Sequence, residues 1–312
     1  MKKIWMIFLV YAVMTLTACA SSSSESNKNK AEDAKPIKAI EKVIEKNIPP
    51  VEPFRIEKKS KNFLLIGVDS SDEKASRSDT IMFARYEPLE KKIKLISLMR
   101  DSYVKIPNHP FKYSKLNHAY NLGGKNLLKE TVEENFGVKV DHIAVIDFIG
   151  FVNIMDTIAP EGLDVEVSKS MIEDLNLKVE PGKQKLHGAD LLSYVRFRHD
   201  KMSDFGRVNR QQEVLISLKE KVLDQFSSLE GIAKFPEVIK FTMQNVETDL
   251  KFDEAFSLGA SFILNPVTDI QTLRVPVSNS FENKYFQHAG AVLKLNFEKN
   301  EEAIKLFLNE DD

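Results

Sequence analysis

The sequence predicts an α/β fold, and three observations carry that reading. Three apolar runs, "NFLLIGVD" (62–69), "DTIMFARYE" (79–87) and "KIKLISLMRD" (92–101), have the length and composition of strands. The segment "FGRVNRQQEVLISLKEKV" (205–222) has a helical pattern, as has the tail from Glu298 to Leu308. With 312 residues, 43% of them hydrophobic, the chain has apolar material for a sizeable core.

The chain opens with "MKKIWMIFLVYAVMTLTACASSSS". Lys2 and Lys3 form a positive start, and residues 4–18 form an apolar stretch of signal-peptide length, short for a spanning helix. It ends in Leu16-Thr17-Ala18-Cys19, and Cys19 is the only cysteine of the chain. A lone exported thiol makes sense if it is consumed, and these four residues resemble a bacterial lipobox. Residues 1–18 are therefore expected to be a lipoprotein-type signal, with Cys19 lipidated; an uncleaved short anchor is the alternative. Residues 19–59 follow as a tether rich in Ser, Lys, Asn and Glu. Within it Ile37, Ile40, Val43 and Ile44 suggest a short amphipathic helix ended by Pro49 and Pro50. The folded body is expected over 60–312, on the outer face of a membrane.

A formal net charge of −2 argues against a protein that coats nucleic acid, and export removes the chain from it. Charge is concentrated locally instead.

Residues 88–91 read as a hairpin turn between the second and third strands. If the three strands are neighbours, the third runs parallel to the first. Asp69, Arg77, Asp79, Arg100 and Asp101 then collect at one edge of the sheet. Two carboxylates ten residues apart across a loop can share Mg²⁺, a hard cation that binds through one or two carboxylates plus phosphate oxygens. Each acid taken singly is as well explained by a surface ion pair; as a set, beside Arg77 and Arg100, they read as a site.

The stretch "VRFRHDKMSDFGRVNRQQ" (195–212) adds Arg196, Arg198, Arg207 and Arg210. Like charges about 5 Å apart repel by roughly 3 kcal/mol at an effective dielectric near 20, so an anion is expected among them. The alternation in "LLSYVRFRH" reads as a strand that projects Arg196 and Arg198 to one face. Gly206 reads as a break, after which Arg207, Arg210 and Gln211 fall in the first turns of a helix, whose N-terminus favours anions. A solvated charged face is the competing explanation. The histidines, His118 and His199 among them, show no metal-ligand spacing and read as structural or substrate-adjacent. "FIGFVNIM" (148–155) lines either a lipid cavity or an ordinary core.

In order along the chain, "NFLLIGVDSSDEKASRSDTIMFARY", "ISLMRDSYVKIP", "KLNHAYNLGG", "GADLLSYVRFRH" and "DFGRVNRQQEVL" resemble the successive motifs of the LytR–CpsA–Psr (LCP) family. The resemblance implies a single α/β domain with a central mixed β-sheet flanked by helices and an apolar tunnel for a polyprenyl chain. It implies a membrane-attached transferase that moves an anionic glycopolymer, such as teichoic acid or capsule, from a polyprenyl pyrophosphate carrier to peptidoglycan. By matching motif positions, Asp69 and Asp79 would be the Mg²⁺ and catalytic carboxylates, with Arg77 beside them. Arg77, Arg100, Arg196, Arg198, Arg207 and Gln211 would hold the pyrophosphate, with Arg210 in support. Three departures stand out: Ser70-Ser71-Asp72 where an Arg two residues after the first Asp is frequent, Met99 before Arg100 where Pro is common, and Pro160-Glu161 where Gly-Gly is usual. A noncatalytic binding or regulatory protein, and a pyrophosphatase using the same site, are the other readings.

Overall fold

β1 (Lys61–Val68), β2 (Ser78–Glu87) and β3 (Lys92–Leu98) form where the three apolar runs predict them. The computed structural model describes residues 57–69 and 78–309. β1 and β2 pair antiparallel, as do β2 and β3, so β3 runs parallel to β1 as expected. β3 is shorter than its apolar run: it stops at Leu98, and β4 (Ser102–Lys105) enters a different sheet.

The remaining elements follow in chain order. They are β5 (Tyr113–Lys115), α1 (Leu116–Phe136), β6 (His142–Ile146), α2 (Phe148–Ile158), β7 (Leu163–Val167), α3 (Lys169–Leu175) and β8 (Gly182–Leu186). Next come α4 (Gly188–Arg196), α5 (Asp204–Gln225), α6 (Leu229–Gln244), β9 (Glu247–Thr248) and α7 (Phe252–Leu264). β10 (Asp269–Val275), β11 (Phe281–Phe286), β12 (Gly290–Leu295) and α8 (Phe297–Asn309) complete the described chain.

The main sheet has the order β10-β3-β2-β1-β6-β9. It is mixed, because β1–β6 and β3–β10 pair parallel while the other neighbours pair antiparallel. Strand alternation separates its two faces. Leu64, Ile66 and Val68 pack with Ile81, Phe83, Tyr120, Leu128, Val132 and Ile304 into one core beneath α1 and α8. Each such buried side chain contributes roughly 1.5–3 kcal/mol. A second core joins α2, α4 and α5 with the β7–β8 hairpin through Ile154, Leu163, Leu191, Tyr194 and Val214. Lys94, 1% exposed, sends Nζ 3.2 Å to the Leu308 carbonyl, to which Arg85 Nη1 also donates at 3.3 Å. These bonds fasten α8 to the sheet.

Two local expectations are corrected. Residues 188–196 form helix α4, because Gly188, Leu191, Tyr194 and Val195 bury one helical face. The seeming alternation runs across its end, where Phe197 takes an extended conformation with ψ 139°. Gly206 is no break but lies within the first turn of α5, where a Cβ would stand 2.6 Å from an Asp200 carboxylate oxygen. The predicted closing helix forms as α8.

Candidate active site

The sheet topology gathers the site. The ends of β1 and β3 and the start of β2 share one edge, with Val68 opposite Ser78 and a register shift between Gly67 and Val68. Asp69 follows Val68 there, Asp79 is the second residue of β2, and Arg100 stands two residues beyond β3.

Asp79 is bound from two directions. Its Oδ1 accepts a hydrogen bond from Arg100 Nη1, and its Oδ2 lies 3.3 Å from Arg198 Nη2. A second carboxylate, Asp204 at the start of α5, faces the same guanidinium groups. It accepts from Arg207 Nη2 at 2.9 Å and lies 3.4 Å from Arg198 Nε and 3.7 Å from Arg100 Nε. Three guanidinium groups thus interleave with two carboxylates. Asp101 flanks Arg100 at 3.7 Å and pairs with Lys115 at 2.8 Å.

The cluster is under-satisfied in a directed way. Arg207 is 2% exposed, yet its Nε and Nη1 have no hydrogen-bond acceptor among the described residues. Arg100 Nε and Arg198 Nε likewise lack an acceptor at hydrogen-bonding geometry. Buried donors of this kind are unusual unless a ligand completes them. Burial pushes the Arg207 pKa down to about 10; Asp204 opposes that, while Arg198 and Arg100 add to it. For Asp79, burial acts to raise the pKa, but Arg100, Arg198 and Arg207 together outweigh it and hold the carboxyl below its ordinary value.

A cavity of about 240 Å³ opens from this cluster along the sheet face under α2, α4 and α5. Asp79, Arg196, Arg198, Arg207 and Gln211 supply its polar lining; Leu65, Met82, Phe148, Phe151, Met155 and Val214 are among the apolar remainder. The segment 148–155 therefore serves core and cavity together. A second cavity, of about 320 Å³, shares Leu65 and Leu215 with the first and continues to Tyr86, Ile93 and Phe262. From Asp79 to Tyr86 along β2 is about 23 Å at the usual rise of a strand.

The expected site residues fall into three groups. Asp79, Arg100, Arg198 and Arg207 meet directly, and Arg196 and Gln211 join them at the cavity wall, Arg196 with its guanidinium 4.0 Å from the Phe148 ring centre. Arg210 is turned elsewhere. Its Nη1 lies 2.6 Å from Asp200 Oδ2, its Nη2 donates to the Phe197 carbonyl, and its guanidinium covers the Phe197 ring at 5.2 Å. It therefore braces the turn that carries Arg198. Arg77, Cys19, the leader and the tether up to residue 56 lie outside the described residues.

His118 bonds Ser114 Oγ at 2.8 Å, and His199 bonds Asp174 at 3.1 Å. Among the described residues no three His, Cys, Asp or Glu side chains gather as a protein-only metal site. Mg²⁺ held together with phosphate needs only one or two carboxylates. The hard oxygen donors of Asp69 and Asp79 at one edge fit that requirement.

Asp204 was missed from the sequence. A signal is present in the sequence: an acid just ahead of the predicted helix 205–222, where the dipole favours negative charge. Lys115 and Asp101 were missed as an interacting pair because β4 and β5 are too short to read.

Fold and site together define an α/β protein whose apolar cavity leads to a buried arginine–carboxylate cluster. The LytR_cpsA_psr family model matches residues 11–303, and the chain belongs to that family. It is 37% identical over 250 residues to the "Regulatory protein MsrR" of Staphylococcus aureus, covering 80% of this chain and 75% of that protein. It is 34% identical over 220 residues to the "Polyisoprenyl-teichoic acid--peptidoglycan teichoic acid transferase TagU" of Enterococcus faecalis, covering 69% of this chain and 68% of that protein. Among solved structures, TagT bound to LIIa-WTA superposes with a TM-score of 0.66 at 27% identity, over 84% of this chain and 94% of that chain. TagV of B. subtilis gives 0.65 at 27% identity, over 81% and 98%.

Proposed function

We propose that this chain is a phosphotransferase that moves an anionic glycopolymer of the teichoic acid class from a polyprenyl pyrophosphate carrier to peptidoglycan. Family membership and the transferase relatives support the reading. The observation that carries it is Asp79, a carboxylate at the centre of the arginines that line the cavity. A protein that only held an anion would bind it better without that charge. The name of the MsrR relative favours a regulatory binding protein instead, and the test below separates the two.

In this reading Arg100, Arg198 and Arg207 grip the pyrophosphate with Arg196, Gln211 and Arg77, using donors that otherwise lack acceptors. The polyprenyl chain follows the first cavity toward the second, which shares Leu65 and Leu215 with it. A peptidoglycan hydroxyl attacks the phosphorus that carries the glycan. Its new P–O bond forms as the P–O bond to polyprenyl phosphate breaks, and the hydroxyl proton passes to a carboxylate at the sheet edge. The arginines take up the charge that gathers on the leaving phosphate, so the protein acts by positioning and electrostatics. Asp69 and Asp79 would hold Mg²⁺, which neutralises phosphate charge when bound. Lipidated Cys19 would keep the chain at the outer membrane surface.

The test incubates the full-length chain with a synthetic polyprenyl pyrophosphate-linked saccharide, Mg²⁺ and peptidoglycan fragments. Glycan joined to peptidoglycan, lost with Asp79→Ala and with chelation, is expected. Release of polyprenyl phosphate without transfer would point to a pyrophosphatase. Tight donor binding with neither product would point to the regulatory reading.

A further inference from the structure

A pocket of about 410 Å³ adjoins the arginine cluster and takes no part in the reaction described above. It lies between the ends of β1 and β6, the start of α2 and the α6–β9 turn, and Val68, Tyr120, Asp147, Ile149, Gln244 and Glu247 are among its walls. Its size is within the usual range of small-molecule sites, about 300–1,000 Å³. Val68 is paired with Ser78, the neighbour of Asp79, and β1 and β6 lie one and two strands from β2, about 5 and 10 Å across the sheet. Val68, Asp147 and Val246 line both this pocket and the cavity that starts at the arginines.

The lining chemistry differs from that of the cluster. No arginine lines it; two carboxylates and the Gln244 amide do, with Val68 and Ile149 as apolar surface. Asp147 Oδ1 caps α2 by accepting from Gly150 N at 2.7 Å, and its other oxygen accepts no hydrogen bond among the described residues. Glu247 is paired with Lys125, and Asp147 makes no ion pair within 4 Å among the described residues. With two carboxylates and no arginine in its lining, this pocket is the poorer place for phosphate, so the pyrophosphate and the anionic polymer are directed to the arginine side. Carboxylate and amide groups beside an apolar wall suit the hydroxyls, acetamide and C–H face of an amino sugar.

The pocket is also rigid. A Cβ on Gly150 would stand 2.3 Å from the Asn245 carbonyl oxygen, and Asn153 Nδ2 donates to Asn245 Oδ1 at 2.7 Å. The start of α2 and the end of α6 are thus locked together, which lowers the ordering cost of binding.

We propose that this pocket holds an N-acetylhexosamine ring of the peptidoglycan acceptor, presenting its chain toward the phosphate held by the arginines. The identity of the ring as acceptor rests on the transfer reading; the existence of a neutral-sugar site does not. The test measures binding by the full-length chain of a soluble peptidoglycan tetrasaccharide and, separately, of a polyprenyl pyrophosphate-linked disaccharide. Gln244→Ala and the pocket-filling Ile149→Trp, both at exposed positions, are compared with the unaltered protein. Gln244→Ala is expected to weaken the tetrasaccharide about tenfold, the loss of one good hydrogen bond, and Ile149→Trp to weaken it at least as much by occupying the space of the ring, both with the donor affinity unchanged. Tetrasaccharide binding that neither variant alters, or none by the unaltered chain at millimolar concentration, would overturn the proposal. So would loss of donor affinity alone, which would assign the pocket to the donor's own sugar. Tetrasaccharide binding lost in both variants by a chain that transfers nothing would sink the transfer reading and leave the sugar site standing.

Discussion

Arg198 Nη2 lies 3.3 Å from Asp79 Oδ2, joining positions 119 residues apart in the chain. One partner follows α4 and the other begins β2, so this single pair ties the helical side of the cavity to the edge of the sheet. The consequences can be measured.

Asp79→Ala removes the carboxylate that faces Arg100 and Arg198. Transfer is expected to fall at least about 100-fold, the scale of a lost acid–base group. Donor binding should persist in part, because the arginines remain. Release of polyprenyl phosphate and donor titration together check both statements.

Arg207→Met should stabilise the ligand-free protein while impairing function. Burial, with the neighbouring Arg198 and Arg100, lowers the guanidinium from 12.5 to about 10 despite Asp204, a net cost of roughly 3 kcal/mol for the charged group at neutral pH. The variant is expected to melt at a higher temperature without ligand, and to lose the rise in Tm that pyrophosphate gives the unaltered protein. A lower Tm for the variant would refute this account.

Asp204→Asn should do the opposite. It strips a partner from Arg207, Arg198 and Arg100 and leaves the buried Arg207 cation less compensated, so a lower melting temperature is expected. Combined with Arg207→Met the loss should shrink, since the stranded cation is gone. Denaturant melts of the two single variants and the double variant measure the coupling.

Acid stability carries the mark of Asp79. Its folded pKa lies below its unfolded one, so its stabilising contribution is complete above about pH 4 and drains away as pH falls through the folded value. Asp79→Asn should flatten this part of the acid limb. Melting temperatures between about pH 2 and pH 5 would show it.

Two glycines should differ in their tolerance of alanine. At Gly150 the new Cβ meets the backbone oxygen of Asn245 at 2.3 Å, and overpacking of that kind costs about 1–3 kcal/mol. At Gly206 it meets the end of the Asp200 side chain at 2.6 Å, which can swing aside at the expense of its bond to Arg210. Thermal melts should show the larger loss for Gly150→Ala.

Legibility followed burial. β1 to β3 are readable because their apolar runs are continuous and the turn between β2 and β3 is short, and their order alone places Asp79 and Arg100 together. α4 was misread because an aromatic-rich sequence crosses a helix end at Phe197, so one period masqueraded as another. β4, β5, β11 and β12 left little signal: the first two are four and three residues long, and β11 is mostly exposed. Asp204 escapes a sequence reading because acids at helix starts are common and one of its three arginine partners, Arg100, comes from a distant segment. The inward turn of Arg210 toward Asp200 is set by the 197–200 turn, which no local pattern announces.

The bond from Lys94 to the Leu308 carbonyl has a consequence in time. Lys94 enters the sheet early, and this acceptor is made 214 residues after it. A growing polypeptide can pair β2 with β3, but this part of the lysine's environment is missing until α8 is delivered. Completion of the sheet's surroundings is therefore postponed until α8 has been made, and a nascent chain is held back from its finished form until then.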